Sequence, residues 1–131
     1  MGLFKRKEKA GKKEILQQNR VWIDQAVGVE YCADSREMYL EILQEYCSES
    51  RKSKSLLEEC MKKQDWKNFA VYVHSVKSSS KTIGAVDFSD EALKLEMAAK
   101  EGNIKIIQKE WPEFCVHFEQ VIREAEQIAE V

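Results

Sequence analysis

Apolar residues recur at three- and four-residue spacing along most of the chain, and this spacing predicts helices. The stretch 20–33 predicts a short helix that packs as a lid on the later helices. Asp34 and Glu37 resemble a capping box and predict a helix over residues 35–50, with a second short helix over 53–64. The apolar residues of these segments are Trp22, Ile23, Ala26 and Val27, then Met38, Ile42, Leu43 and Tyr46, then Leu56, Leu57, Cys60 and Met61.

Two further segments carry the same periodicity. Asp65 has the side chain of a good N-cap and predicts a helix that runs from there toward Gly84, a residue suited to the left-handed backbone that often ends helices. The stretch 87–102 predicts the next helix, with four apolar residues in register and a glycine at its end.

The last apolar run predicts a long helix that Asn103 caps. Pro112 lies inside it, and proline lacks an amide hydrogen and clashes with the preceding turn, so we expect it to kink or split this helix. Four main helices with short connections predict an all-α fold, an antiparallel up-down four-helix bundle with one or two short extra helices at the N-terminal side.

Length and composition favour one domain. The chain has 131 residues, of which 44% are hydrophobic, enough for one ordinary core. Residues 1–14 carry six of the 21 Lys and Arg residues, which predicts a basic, flexible tail over 1–19 before a domain over 20–131. The net charge of −2 does not indicate a nucleic-acid surface. No apolar stretch suits a signal peptide or a membrane span, so a cytoplasmic protein is expected.

The four cysteines are widely spaced and form no C-x-x-C pair. They have no histidine at a spacing typical of metal sites, so no bound metal is predicted. We interpret them as small hydrophobic residues of the core in a reducing compartment. They are Cys32, Cys47, Cys60 and Cys115.

The helix that contains His74 has two different faces. At about 100° per residue, the face around His74 is polar, and the opposite face is mostly apolar and must enter the bundle. Ser80 lies on the apolar face, where a small residue allows a close approach of another helix and its hydroxyl can bond the carbonyl four residues earlier. His74 is therefore expected to point toward solvent, within about 60° of Lys67, Ala70, Val71, Lys77, Ser78 and Lys81.

The segment "HSVKSSSKTIGA" resembles the signature of the histidine phosphotransfer (HPt) domain of phosphorelays, in which a histidine is followed by a lysine, small residues and an apolar-Gly-Ala ending. The downstream segment "LKLEMAAKEGN" is similar to the Leu-Glu-x-Ala-Ala-x-x-Gly part of that family, and the resemblance covers residues 22–128. Ser78 stands where many members have glycine, but serine is small enough to keep access to the histidine. The structural positions of the motif are Ser80, Gly84 and Ala85.

The resemblance implies a phosphocarrier with no ATP site of its own. His74 would accept a phosphoryl group from the aspartyl phosphate of one response-regulator receiver and pass it to another. Lys77 would bind a phosphoryl oxygen, and no cofactor would bind this chain because the receiver supplies Mg²⁺. The receiver would dock on Lys67, Ala70, Val71, Ser78 and Lys81.

The same resemblance implies an upstream hybrid histidine kinase as a partner, and we expect a monomer. Two alternatives stay open. A helical adaptor could bind partners through the His74 face without phosphorylation. An enzyme could use His74 as a general base or metal ligand, but no carboxylate lies on its face between residues 67 and 81. His117 is interpreted as a boundary or surface residue.

Overall fold

The computed structural model describes residues 20–131, so the basic tail expected over 1–19 lies outside the described residues. The described part of the chain is all-α, as predicted. After a short first helix, four long helices succeed one another; α2 packs against α3 and α5, and α4 packs against α3 and α5. The helices are α1 (Gln25–Tyr31), α2 (Arg36–Lys63), α3 (Trp66–Thr82), α4 (Val86–Lys100) and α5 (Ile104–Ala129).

The predicted caps of α3 and α5 are confirmed. The Asp65 carboxylate accepts a hydrogen bond from the Asn68 amide, and the Asn103 side chain accepts one from the Ile106 amide. The cap of α2 was placed one residue too early. Ser35, not Asp34, accepts the amide hydrogen of the third helical residue, and Asp34 has a φ of 61° in the turn before it.

The prediction of two separate helices over 35–64 was wrong, since α2 is one helix of 28 residues. Its middle is polar in sequence but makes ion pairs with α5. Arg51 contacts Glu119 at 3.3 Å and Glu126 at 3.0 Å, and Lys54 contacts Glu119 at 3.1 Å. These ion pairs and the i to i−4 backbone hydrogen bonds keep the middle of α2 helical, although it has few apolar residues.

Pro112 does not split the last helix, which runs unbroken for 26 residues. Proline cannot donate a backbone hydrogen bond to the Gln108 carbonyl, the acceptor four residues earlier. Both Pro112 and Gln108 lie on the exposed side of α5. Water can therefore take the place of the missing donor, which is why the helix tolerates the proline.

Trp22 and Ile23 precede α1 and have no regular secondary structure, where the sequence had predicted helix. We call residues 20–24 the N-terminal strap. Both residues are buried, and their backbone amides donate to the two oxygens of Glu124, each at 2.8 Å. The strap therefore covers part of α5. The prediction that the stretch 20–33 packs as a lid holds, although only Gln25–Tyr31 of it is helical.

Gly84 lies in the turn between α3 and α4 and has the left-handed conformation that the sequence predicted, with a φ of 96°. The backbone of the strap passes directly over it. The Asp24 amide donates to the Gly84 carbonyl at 3.0 Å, and a Cβ at position 84 would collide with the Asp24 carbonyl oxygen. Glycine is therefore required there twice, for its φ and for the close approach.

None of the five helices between residues 20 and 131 has the length and apolar character that crossing a lipid bilayer requires.

Candidate functional site

α3 turns its apolar face into the bundle and leaves His74 at the surface. Phe69, Val73, Val76 and Ser80 are buried, whereas the side chain of His74 is 56% exposed. The expectation that the imidazole points to solvent is confirmed. The helix that faces it is α4, because the tight turn around Gly84 brings α4 back along α3.

The structure adds a carboxylate that the periodicity of α3 did not reveal. Glu96 of α4 lies with an oxygen 2.7 Å from Nδ1 of His74, and its side chain is only 3% exposed. The prediction that no carboxylate lies on the face of His74 between residues 67 and 81 holds, but the carboxylate of Glu96 reaches the imidazole from the neighbouring helix. Glu96 lies in the "LKLEMAAKEGN" segment, so its signal was present, but the periodicity of one helix cannot place a side chain of another.

Two lysines complete the arrangement around Glu96. Nζ of Lys77 lies 2.7 Å from Oε1 of Glu96, and Nζ of Lys100 lies 2.9 Å from Oε2, the oxygen that also contacts His74. We call His74, Lys77, Glu96 and Lys100 the Glu96 cluster. Lys77 was predicted from the motif, whereas Lys100 was not.

The electrostatics of the cluster keep Glu96 ionised. Burial by itself raises the pKa of this carboxyl, but hydrogen bonds from Lys77, Lys100 and His74 more than offset it and lower the pKa to about 2. A buried carboxylate is stable only when donors satisfy its oxygens, and here each oxygen has at least one. Glu96 therefore carries a negative charge at neutral pH.

An ionised carboxylate can only accept hydrogen bonds, so Nδ1 of His74 must carry a proton in order to bond it. In the neutral imidazole the lone pair then resides on Nε2. Nε2 forms no hydrogen bond with any residue between 20 and 131. Glu96 thus fixes the tautomer and leaves a nucleophilic nitrogen at the surface.

The hydroxyl residues near the end of α3 make two kinds of hydrogen bond, one to another helix and one to the backbone of α3. Ser80 is fully buried, and its hydroxyl bonds the Tyr46 hydroxyl of α2 at 2.9 Å, not the carbonyl four residues earlier as predicted. That backward bond is made instead by Ser79 and Thr82, each at 3.0 Å. Small residues here let α2 approach α3, as expected, but the polar contact is between helices.

The residues predicted to receive a partner lie at the surface of α3. Val71 is 60% exposed, Ala70 is half-buried, and Lys67, Ser78 and Lys81 are exposed. On α4, Met97 comes directly after Glu96 and is 51% exposed, so an apolar side chain lies on that helix as well. Since Ser78 is small, it leaves the space beside the imidazole open.

His117 lies elsewhere and is buried, so its interpretation as a boundary or surface residue was wrong. Its Nδ1 lies 2.8 Å from Glu91 of α4, and the Trp22 ring of the strap packs on it with centroids 4.7 Å apart. Trp22 is far away in sequence, and this is why helical periodicity did not reveal the burial.

Three of the four cysteines, at positions 32, 47 and 60, are buried as predicted, and Cys115 is half-buried. Burial raises the pKa of the Cys115 thiol to about 11, which makes it a poor nucleophile at neutral pH. In the part of the chain that the structure describes, no group of three or more His, Cys, Asp or Glu side chains is arranged to hold a metal ion.

The sequence model of the Hpt domain family matches residues 41–130, which include all four members of the Glu96 cluster. The chain belongs to the Hpt domain family. Hpt domains are phosphocarriers of phosphorelays that interact with receiver domains and kinases, so the chain has a histidine phosphotransfer role. Comparisons with curated proteins and with solved structures each returned no significant match.

Proposed function

We propose that His74 accepts a phosphoryl group on Nε2 from the aspartyl phosphate of one receiver domain and passes it to the aspartate of another. The observation that carries this proposal is the exposed imidazole whose Nδ1 bonds the buried Glu96 carboxylate at 2.7 Å. His117 makes a similar bond but is buried, so it is not accessible to a partner.

The transfer balances without an external reagent. The Nε2 lone pair forms a bond to phosphorus while the bond between phosphorus and the aspartyl oxygen breaks, and the receiver aspartate leaves as a carboxylate. The Nδ1 proton stays on the ring, which becomes cationic, and Glu96 lies against that positive charge. The return transfer to a second receiver reverses these steps, and the imidazole is neutral again.

Positioning and charge neutralisation dominate the catalysis of phosphoryl transfer. Lys77 lies one turn from His74 and directs its ammonium to Glu96, with its side chain 24% exposed. It contributes positive charge close to the phosphoryl oxygens while it keeps its bond to Glu96. Mg²⁺ would be held by the receiver, where it would neutralise charge on the transferring phosphoryl group.

The docking surface would consist of the exposed residues of α3 around His74, with Lys67 and Lys81 facing an acidic pocket of the receiver and Val71 supplying apolar contact. A small interface suits a carrier that must release each partner. We extend this proposed surface to α4 by adding Met97, which is exposed and follows Glu96. Met97 was not part of the docking surface predicted from the sequence.

The same proposal includes expectations about the upstream partner, the oligomeric state, the compartment and the part of the chain that is needed. A hybrid histidine kinase would supply the donor receiver, the carrier would act as a monomer in the cytoplasm, and residues 20–131 would suffice for transfer. Removing residues 1–19 tests the last point, since the transfer rate of the shortened chain should equal that of the full chain at physiological salt.

A transfer assay tests the central proposal. The full chain is mixed with Mg²⁺ and a receiver labelled on its aspartate, and phosphohistidine is located by peptide mass analysis after base treatment, which hydrolyses aspartyl phosphate. We expect label on His74, and loss of that label to a second, unlabelled receiver added afterwards. The His74→Gln protein is the control.

Absence of phosphate on His74 from every receiver tested, with receiver binding unchanged in His74→Gln, would contradict the proposal and favour a helical adaptor that uses the same surface. Label that enters His74 but never leaves for a second receiver would restrict the chain to a terminal acceptor.

A further inference from the structure

The two lysines of the Glu96 cluster are not equivalent. Lys77 is the donor to Oε1 of Glu96, whereas Lys100 shares Oε2 with Nδ1 of His74. The side chain of Lys77 is 24% exposed and that of Lys100 is 64% exposed. One ammonium is thus held in a partly buried place, and the other lies at the surface on a long side chain.

Loss of the Lys77 bond to Glu96 would be more destabilising than loss of the Lys100 bond. If Lys77 moved away, Oε1 of a side chain that is 3% exposed would lose its donor. An unsatisfied buried acceptor is destabilising, and more so when it is charged. If Lys100 moved away, Oε2 would keep its bond from the imidazole. Lys100 is therefore the lysine that can be released at the smaller cost.

Phosphorylation supplies a reason for Lys100 to move. Lys100 Nζ and His74 Nδ1 both lie within hydrogen-bond distance of the same oxygen, so the ammonium is already near the ring. A phosphoryl group on Nε2 brings up to two negative charges, while the ring becomes cationic and bonds Glu96 more strongly. The phosphoryl group then attracts the ammonium of Lys100. The stronger bond from the cationic ring to Glu96 offsets the loss of the Lys100 bond.

We propose that Lys100 leaves Glu96 when His74 is phosphorylated and binds the phosphoryl oxygens, while Lys77 remains the fixed partner of Glu96. This inference rests on the proposed function only in that His74 carries the phosphoryl group. It makes Lys100 a phosphoryl-binding residue outside the His-x-x-Lys motif, and it separates the roles of two lysines that contact the same carboxylate.

The test uses the full chain phosphorylated with phosphoramidate, a small phosphoryl donor, so that no receiver is needed. The pH titration of the phosphohistidine phosphorus signal is followed by ³¹P NMR. A nearby ammonium favours the dianionic phosphoryl group, so Lys100→Ala should raise the measured phosphoryl pKa by about half a unit. Lys100→Arg should restore the wild-type titration because it keeps the charge.

Lys94→Ala is the matched control, since Lys94 lies on the same helix, is 59% exposed and pairs with Glu110 at 2.9 Å. It should not change the titration. In the unphosphorylated protein, Lys77→Ala should lower the urea midpoint of unfolding more than Lys100→Ala does, because among residues 20–131 only Lys77 donates to Oε1.

An unchanged phosphoryl titration in Lys100→Ala, with normal phosphorylation of His74, would overturn the inference and leave the proposed function intact. Equal effects of Lys100→Ala and Lys94→Ala would do the same, since they would indicate a general loss of positive charge. Failure of both phosphoramidate and phosphorylated receivers to modify His74 would overturn both proposals. Failure of receivers alone would contradict only the proposed function.

Discussion

His74 and His117 each place Nδ1 near a carboxylate of α4, at 2.7 Å from Glu96 and at 2.8 Å from Glu91. Their surroundings differ. The side chain of His74 is 56% exposed, whereas that of His117 is 6% exposed and lies under the Trp22 ring. A bond between a histidine and a carboxylate is thus common to both places, and access distinguishes them.

The charges around the two carboxylates differ as well. Glu96 bonds two lysines, and its pKa falls to about 2 despite burial. Burial raises the pKa of Glu91, which has His117 as its hydrogen-bonded partner and the carboxylate of Glu113 near the same ring. Positive charge beside the carboxylate and access to the ring therefore distinguish the His74 region from the His117 region, and the proposed phosphoryl transfer requires both.

The largest difference should appear when each histidine is replaced. His74→Gln should abolish phosphohistidine completely, because the other ring is covered. His117→Gln should retain phosphorylation of His74, although the loss of the buried contact to Glu91 should lower stability by about 1–3 kcal/mol. Intact-protein mass analysis after phosphoramidate treatment measures the first effect, and urea unfolding measures the second. Phosphate on His117 in the His74→Gln protein would break the distinction.

Removal of the Trp22 ring tests whether exposure of the His117 imidazole is sufficient for its phosphorylation. Trp22→Ala removes a buried indole that packs on His117 and Phe88, so we expect a loss of about 3 kcal/mol in the free energy of unfolding. The exposed ring should still acquire no phosphate from a receiver, because no lysine bonds its carboxylate partner within residues 20–131. Val21→Ala, at a position 78% exposed in the same strap, is the control and should leave stability nearly unchanged.

Neutralising each carboxylate tests the role of charge. Glu96→Gln keeps the shape of the side chain but no longer requires a proton on Nδ1, so both tautomers of His74 become populated and the cations lose their counter-ion. We expect transfer from a phosphorylated receiver to slow by about tenfold or more. Glu91→Gln should stay within about twofold of the wild-type rate. Single-turnover transfer under excess phosphorylated receiver measures both, and equal rates for the two variants would contradict the assignment.

The smallest expected effect is a difference in pH dependence. The folded pKa of Glu96 lies below its ordinary value of 4.5, so its ionised form stabilises the fold above that pH. The advantage of wild type over Glu96→Gln should therefore decrease as pH falls from 4.5 toward 2. The pKa of Glu91 is raised, so the contribution of its carboxyl should decrease as pH rises above 4.5. Urea unfolding over the acidic range from about pH 2.5 to 6 measures the two slopes, and slopes of the same sign would refute this contrast.

The features that the sequence predicted well are those with local signals. Asp65 and Asn103 cap helices because their side chains reach amides three residues ahead, and Gly84 ends a helix because its backbone adopts a positive φ. The orientation of His74 was predictable from the apolar face of its own helix. Each of these needs only neighbouring residues, so one sequence contains the information.

The features that were missed depend on contacts between segments far apart in sequence. The polar middle of α2 is helical partly because α5 supplies Glu119 and Glu126, and neither is visible from residues 48–55. Glu96 reaches His74 only after α4 folds back on α3, and Trp22 covers His117 only after the strap crosses α5. A pattern along one helix cannot specify which neighbour its exposed residues will meet.

The distances along the chain that these contacts span also bear on the order in which the molecule assembles. His74 and Glu96 are 22 residues apart, and the Ser89 hydroxyl bonds the Lys77 carbonyl across 12, so a single hairpin brings the site together. The strap joins residues 102 positions apart when the Trp22 amide bonds Glu124. Closing the longer loop loses more chain entropy, so the hairpin can form while the ends are still apart. The contacts of the proposed phosphoryl-accepting site thus close a short loop, whereas the contacts that hold the strap close a much longer one.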